Sequence, residues 1–232
     1  MTHPSRSAVI VAHGSPSDPD PQERDLQALA AKVNAALPEW DIRGATLAAE
    51  GALDAAIDAL NAPLIYPYFM AEGYFTGRVL APKSKSRGLT QLRPFGVDPH
   101  LADCAEAELQ AILLTNNWNA GDTALLVAAH GSAVSRTSAN STHAMAGTLH
   151  ARMGFLRTRT GFIEEPPHVQ DMARGLGQAI CLPFFALNAG HMLDDMPQAL
   201  GAANFTGHRL PAMIDWASTP RLIADCLERA AP

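Results

Sequence analysis

The sequence predicts an α/β protein built of two similar lobes, each a parallel sheet with helices on both faces. Short apolar runs at residues 8–12 and 124–128 lack alternation, which is the pattern of strands buried on both faces. Helical periodicity follows the first run, where apolar residues from Leu26 to Leu37 recur at spacings of three and four before Pro38. Strands that alternate with helices form parallel sheets that are covered on both sides.

The two halves of the sequence repeat each other. Residues 8–15, with the sequence AVIVAHGS, recur 117 positions later as LLVAAHGS at residues 125–132. A second pair of segments follows, in which residues 64–74 resemble residues 180–191. Self-similarity over this length indicates a duplicated unit. The polar segment 116–122 lies between the copies and has the composition of a linker.

The duplication predicts two domains, an N-terminal lobe over residues 1–117 and a C-terminal lobe over residues 118–232. Each copy has the pattern of four strands alternating with helices, so we expect two four-stranded parallel sheets that face a shared cleft. Ligands of such sheets bind beyond the carboxyl ends of the strands. The residues that follow each apolar run are therefore the first candidates for a functional site.

Composition excludes several classes of protein. Of the 232 residues, 47% are hydrophobic and 17% are charged, which excludes global disorder. The net charge of −6 argues against a nucleic-acid binder, and no apolar run approaches the roughly 20 residues of a membrane span. The first residues lack a signal-peptide pattern and the three cysteines are scattered, which predicts a cytoplasmic protein. We expect a monomer or a homodimer.

Basic residues are concentrated in two stretches. Residues 73–97 and 123–163 contain no aspartate or glutamate, although the chain as a whole is acidic. One interpretation is a pair of solvated surfaces, and the other is a local positive field that binds a small molecule with several negative charges. The candidates for such an anion-binding surface are Arg78, Lys83, Lys85, Arg87 and Arg136.

Two histidines of the second copy follow strand-like runs. His130 precedes Gly131 and Ser132, and His191 lies 61 positions later in the segment NAGHMLDD. Both imidazoles are expected to project from strand ends at one edge of the sheet. Imidazole binds divalent transition metals and exchanges protons near neutral pH, so the pair is a candidate for either task. A purely structural hydrogen-bonding role is the alternative.

Two common enzyme classes are disfavoured. The sequence contains no Gly-x-Ser-x-Gly element, and Ser15 and Ser132 lie at helix starts rather than at a nucleophile elbow. Neither GxGxxG nor GxxxxGK[ST] occurs, which disfavours nucleotide binding.

The VAHGS segment and the LPFFALNAGHMLDDMP segment together resemble the class II tetrapyrrole chelatases, most closely the sirohydrochlorin cobaltochelatases and ferrochelatases of cobalamin and sirohaem biosynthesis. The resemblance spans nearly the whole chain. It implies flavodoxin-like lobes and a lyase that inserts Co²⁺ or Fe²⁺ into sirohydrochlorin or a related anionic tetrapyrrole. The metal would be a substrate, and no organic cofactor is implied. The alternative is a non-catalytic protein that binds a metal or a tetrapyrrole on the same fold.

The resemblance assigns roles to particular residues. The family's two metal-site histidines match His130 and His191, which become the predicted metal-binding and catalytic pair. The corresponding residues of the first copy are His13 and Tyr74, so the first lobe is expected to carry a degenerate site. Many close relatives keep the working pair in the N-terminal copy, whereas the related protohaem ferrochelatases keep it in the second half, as here.

Two neighbouring carboxylates lie close to the predicted site. Glu164 and Glu165 end the second strand of the C-terminal lobe, where they would guide the metal or relay protons, unless they are a surface pair. Sirohydrochlorin carries several carboxylates, so the basic residues named above would anchor it through their cationic groups.

Overall fold

A computed structural model describes residues 6–231 of the chain. It contains two parallel sheets flanked by helices, which confirms the predicted α/β class. The helices and strands, in chain order, are β1 (Arg6–Ala12), α1 (Pro19–Ala36), β2 (Trp40–Thr46), α2 (Ala52–Asp58), β3 (Leu64–Pro67), α3 (Ala81–Ser86), α4 (Leu101–Asn116), β4 (Ala124–Ala129), α5 (Thr137–Met153), β5 (Arg157–Phe162), α6 (Val169–Ala173), β6 (Ala179–Pro183), α7 (Met196–Ala202), β7 (His208–Arg209) and α8 (Thr219–Ala230). None of these helices is both long enough and apolar enough to span a membrane.

The first sheet has the strand order β2-β1-β3, with all pairs parallel. Its central strand is fully buried from Ala8 to Ala12, as the apolar run predicts. The expected fourth strand is reduced to a bridge between Ile65 and Gln91. The amide of Leu92 still donates to the carbonyl of Ile65, but Pro94 follows and has no N–H to continue the ladder. Within the described residues, the first sheet therefore has three strands, not four.

The second sheet has the strand order β5-β4-β6-β7 and is parallel throughout. Its first three strands repeat the order of the first sheet, and a short fourth strand, β7, pairs with β6. The central strand β4 is buried along its whole length. The four-stranded prediction is therefore confirmed for this sheet.

The compact units do not follow the repeat boundary. One unit contains the residues up to Asp98 together with those from Ala217 onwards, and the other contains Pro99–Trp216. Relative to the predicted domains, 1–117 and 118–232, the two units have exchanged one helix for another, α4 for α8. The reason is that α8 packs on α1 in the first unit, whereas α4 packs on α5 in the second. Each repeat thus contributes its last helix to the unit that holds the other repeat's sheet.

A π-helical segment follows the third strand of each sheet. Phe75–Leu80 precedes α3 in the first unit, and His191–Asp195 precedes α7 in the second. Segments of this kind are rare and are frequently found at functional sites. In the second unit the segment begins at one of the two predicted site histidines.

Candidate metal centre

Three side chains of the second unit meet beyond the ends of neighbouring strands. His130 follows β4 directly, and Glu164 lies two residues past the end of β5. The two residues lie side by side just beyond the strands, where the Glu164 amide donates to the His130 carbonyl at 2.9 Å. His191 begins the π-helical segment that follows β6. The three residues thus reach the carboxyl edge of the sheet from three adjacent strands, where parallel sheets bind ligands.

The ligand atoms of this cluster are close enough to share one ion. One ring nitrogen of each histidine and one carboxylate oxygen of Glu164 all lie within 4.8 Å of one another. The rings of His130 and His191 are perpendicular, with centroids 4.3 Å apart. His130 and Glu164 are exposed and His191 is half-buried, so the cluster is accessible from solvent. Among residues 6–231, no other group of three His, Cys, Asp or Glu side chains is arranged in this way.

Hydrogen bonds determine which nitrogen each histidine presents. Nδ1 of His130 lies 2.9 Å from the carbonyl oxygen of Gly131. Because a carbonyl oxygen only accepts, Nδ1 carries the hydrogen and Nε2 keeps its lone pair. Nδ1 of His191 lies 2.6 Å from Oδ2 of Asp195, and its N–H likewise donates to this oxygen. Both imidazoles therefore offer Nε2 to a metal, which is the usual arrangement of metal-binding histidines.

Glu165 has a different environment from its neighbour. Its Oε1 accepts a hydrogen bond of 2.8 Å from the amide of Ser132, so it supports the loop that follows His130. Gly131 in that loop has a φ of +76°, and a Cβ there would lie 2.9 Å from Cβ of Phe162 and from Cγ of Glu165. Only glycine fits this position, for steric and conformational reasons. The structure thus brings Glu164 into the cluster and leaves Glu165 beside it.

Among the described residues, the equivalent position of the first unit contains one histidine and no second metal-binding side chain. His13 repeats the geometry of His130, with Nδ1 2.8 Å from the carbonyl oxygen of Gly14. The ring perpendicular to it, at a centroid distance of 4.0 Å, belongs to Phe75, which begins the π-helical segment. Phe75, and not Tyr74 as the sequence spacing predicts, is therefore the counterpart of His191. A one-residue offset between the copies, already visible at Pro67 and Pro183, accounts for the difference.

The position of the first unit that corresponds to Glu164 does not carry a carboxylate. The amide of Ala48 donates to the carbonyl of His13, just as the amide of Glu164 donates to that of His130. Ala48 thus takes the place of Glu164, and Phe75 takes the place of His191. Within residues 6–98, a transition metal would therefore find one imidazole, that of His13, at this edge of the first sheet.

The predicted anion-binding residues fall into two groups. Lys83 and Arg87 are engaged by carboxylates of α2, with Nζ of Lys83 3.1 Å from Asp54 and Arg87 bonded to both Asp54 and Asp58. The remaining three have exposed side chains and form no ion pair with any residue in the range 6–231; they are Arg78, Lys85 and Arg136. These three are available to bind an anion, while Lys83 and Arg87 would first have to leave their partners.

The cysteines contribute no metal-binding thiolate to the described cluster. Burial in β6 raises the pKa of the Cys181 thiol to about 12. Burial in α8 raises the pKa of Cys226 to about 11. Both groups are therefore neutral thiols at physiological pH, whereas a metal is bound by the thiolate form.

Two residues of these edges were not identified from the sequence. Asp195 lies four residues after His191, a spacing that is visible in the segment HMLDD but does not show which of the two aspartates faces the ring. The 117-residue spacing does not indicate Phe75, because it pairs His191 with Tyr74. The sequence does contain a signal for Phe75: Pro67 and Pro183 are separated by one residue less than the 117-residue repeat.

Comparison with known proteins agrees with this architecture. The CbiX family model matches residues 124–220. The structure of CbiX from denitrifying bacteria, described as the terminal enzyme for biosynthesis of siroheme, is 42% identical to this chain with a TM-score of 0.88. The match covers 98% of this chain and 100% of that protein. Among curated proteins, the comparison finds no match.

Two more distant structures share the fold. SirB from Bacillus subtilis, solved with Fe³⁺, is 10% identical with a TM-score of 0.75, and the match covers 97% of this chain and 94% of that one. The sirohydrochlorin chelatase SirB from Bacillus subtilis subspecies spizizenii, in complex with cobalt, is 10% identical with a TM-score of 0.67, covering 97% and 92%. The fold is thus that of the chelatases. At the level of sequence, the chain belongs to the CbiX family of class II tetrapyrrole chelatases.

Proposed function

We propose that this protein is a chelatase that inserts Co²⁺ or Fe²⁺ into sirohydrochlorin at the cluster formed by His130, Glu164 and His191. The observation that carries the proposal is the meeting of these three ligands at the carboxyl edge of the second sheet, in a chain of the CbiX family. The relative that is 42% identical is described as acting in the biosynthesis of siroheme, which supports a tetrapyrrole as the second substrate.

The composition of the cluster suits a metal that must be passed on. Closed four-ligand sites retain their ion, whereas sites with three protein ligands leave a coordination position open for a substrate. Two imidazoles and one carboxylate would provide three ligands, and the exposure of His130 and Glu164 leaves the cluster open to solvent. One pyrrole nitrogen of the macrocycle would enter the open coordination position first. The other pyrrole nitrogens would then replace the protein ligands one after another.

Metal insertion also releases two protons from the pyrrole nitrogens. A nearby base must accept them, and the best base has a pKa close to the operating pH. We assign this task to one of the two imidazoles once the ion has left its Nε2, with Glu164 as the relay to solvent. On the macrocycle one M²⁺ replaces two H⁺, so the net charge of the macrocycle does not change.

Basic side chains would bind the carboxylates of the substrate. Arg136 precedes α5 in the loop that begins at His130, and its side chain is exposed. Arg78 and Lys85 are the corresponding candidates of the first unit, where they form no ion pair with another described residue. Lys83 and Arg87 are weaker candidates because carboxylates of α2 already bind them.

A turnover assay tests this proposal. The protein is mixed with Co²⁺ and sirohydrochlorin, and insertion is followed from the absorption spectrum of the macrocycle. We expect the wild-type protein to accelerate insertion and both His130→Ala and His191→Ala to abolish the acceleration while the fold remains intact. His13→Ala is the matched control, because it removes the equivalent imidazole of the first unit, and it should cost much less.

Two results would contradict the proposal. If the wild-type protein binds Co²⁺ and the tetrapyrrole without accelerating insertion, the chain is a binding protein on the chelatase fold. If His13→Ala abolishes turnover and His191→Ala does not, the working site lies in the first unit.

A further inference from the structure

Asp195 forms the shortest contact of the cluster, although it is not one of the three ligands. Its Oδ2 lies 2.6 Å from Nδ1 of His191, and the two residues lie four positions apart in the π-helical segment. The distance is at the short end for a hydrogen bond between a nitrogen donor and a carboxylate. Asp195 thus contacts the side of the His191 ring that faces away from a metal on Nε2.

The pair contributes little to the stability of the fold. The side chain of His191 is 35% exposed and that of Asp195 is 43% exposed. Ion pairs at such exposure are worth about 0–1 kcal/mol, because solvent screens them. The contact between Asp195 and His191 therefore stabilises the fold only weakly. Its main effect is to orient the His191 ring.

The first unit provides an internal comparison. Its π-helical segment begins with Phe75 in place of His191, and the residue four positions later is Val79. No aspartate or glutamate occurs between Phe75 and Pro82. The histidine and its carboxylate partner are therefore present together in one copy and absent together in the other.

We infer that Asp195 is a positioning residue for metal insertion: its carboxylate fixes the Nδ1–H tautomer of His191 and aims Nε2 at the ion. This inference rests on the proposed function of the cluster and adds a residue to it. A histidine that binds a metal through one nitrogen commonly donates its other N–H to a carboxylate, which orients the ring and increases its strength as a ligand. The Gly131 carbonyl does the same for His130 as a neutral acceptor.

Binding of Co²⁺ alone tests this inference without the tetrapyrrole. Co²⁺ is titrated into the protein and binding is followed from the visible absorption of the bound ion, with the thermal unfolding midpoint measured in parallel. Asp195→Ala should weaken Co²⁺ binding about ten- to a hundredfold, the usual cost of losing such a partner. Its unfolding midpoint should stay close to that of the wild type. Asp195→Asn keeps an oxygen acceptor for Nδ1–H and should recover part of the affinity.

The matched control is Asp194→Asn, which removes the same charge from the adjacent residue of the same segment. We expect it to bind Co²⁺ as the wild type does, since no hydrogen bond links Asp194 to either ring among the described contacts. Equal losses in Asp194→Asn and Asp195→Asn would overturn the inference, because they would indicate a general effect of charge. Unchanged binding in Asp195→Ala would overturn it as well.

Failure of this inference is distinguishable from failure of the proposed function. If Asp195→Ala binds Co²⁺ like the wild type while the wild type catalyses insertion, only the role of Asp195 is wrong. If the Asp195 variants lose affinity as expected but the wild type does not insert the metal, the positioning role stands and the chelatase proposal is wrong. A wild-type protein that shows no Co²⁺ signal would contradict both.

Discussion

The two imidazoles of the cluster are held by different acceptors, and this difference governs how firmly each ring is oriented. The acceptor of His130 is a backbone carbonyl, while that of His191 is the carboxylate of Asp195. Charge-assisted hydrogen bonds are roughly twice as strong as neutral ones. The His191 ring is therefore the more firmly oriented of the two, and His130 depends on the loop at Gly131 for its position.

Adjacent glutamates give a prediction at the residue scale. Glu164→Gln should weaken Co²⁺ binding by at least about tenfold, because it removes a charged ligand where even the loss of an outer partner has that effect. Glu165→Gln should leave Co²⁺ binding unchanged, because an amide oxygen still accepts the Ser132 amide. Isothermal titration of both variants with Co²⁺ measures the difference. Equal affinities would show that Glu164 is not a ligand.

At this scale the sequence predicts the residue types better than their contacts. The sequence indicates His130 and His191 because both follow apolar strands, and the carboxyl ends of parallel strands lie at the same edge of a sheet. The separate roles of Glu164 and Glu165 were not predictable, because they depend on which of two consecutive side chains turns toward the ring. Asp195 was missed for the same reason, since Asp194 precedes it.

The loop between β4 and α5 is the element that positions His130. Gly131 adopts a left-handed conformation there, as Gly14 does in the first unit, with a φ of +76° in both. Ser132 accepts hydrogen bonds from the amides of Val134 and Ser135 through its hydroxyl and donates its own amide to Glu165. The repeated His-Gly-Ser segment is thus a compact turn whose geometry holds the imidazole at the end of the strand.

A glycine substitution tests the loop. Gly131→Ala should destabilise the protein by about 1–3 kcal/mol, the cost of a strained backbone, and should weaken Co²⁺ binding because His130 is displaced. Gly147→Ala is the matched control, since Gly147 lies in the interior of α5 with open space around it. There alanine should stabilise the helix by about 1 kcal/mol. Thermal unfolding of the two variants should therefore shift in opposite directions, and shifts in the same direction would contradict the prediction.

Most elements were predictable at this scale, because their signals are local. The periodic run from Leu26 to Leu37 lies in α1 and at its end. The reduced fourth strand of the first sheet was not predictable from apolar pattern alone. Its single bridge depends on hydrogen bonds from Ile65 and Leu92 that no periodicity reveals.

At the scale of the molecule, the repeats and the compact units are different divisions of the chain. The helix α8 belongs to the unit of the first sheet, although it ends the second repeat. Its apolar face is buried, with Ile223 and Leu227 fully inaccessible. In the same way, α4 ends the first repeat and buries Leu109 in the second unit. A pattern of repeats does not reveal such an exchange, because it does not show that α8 packs on α1 and α4 on α5.

Two leucines test the exchange of helices. Leu227→Ala in α8 and Leu109→Ala in α4 should each cost about 2–5 kcal/mol, as deletions of buried leucine side chains do. Hydrogen exchange should show lost protection in β1 for Leu227→Ala and in β4 for Leu109→Ala. If protection is lost in the opposite strands, the boundary at residues 117 and 118 describes the folding units better than the compact units do.

The position of a bound metal tests the central claim most directly. A crystal of the wild-type protein soaked in Co²⁺ is measured at the cobalt absorption edge, and the anomalous difference map locates the ion. We predict a peak bonded to Nε2 of His130, Nε2 of His191 and an oxygen of Glu164, at about 2.0–2.2 Å from each. A peak bonded to His13, with none at His130 and His191, would contradict the assignment of the metal centre to the second unit.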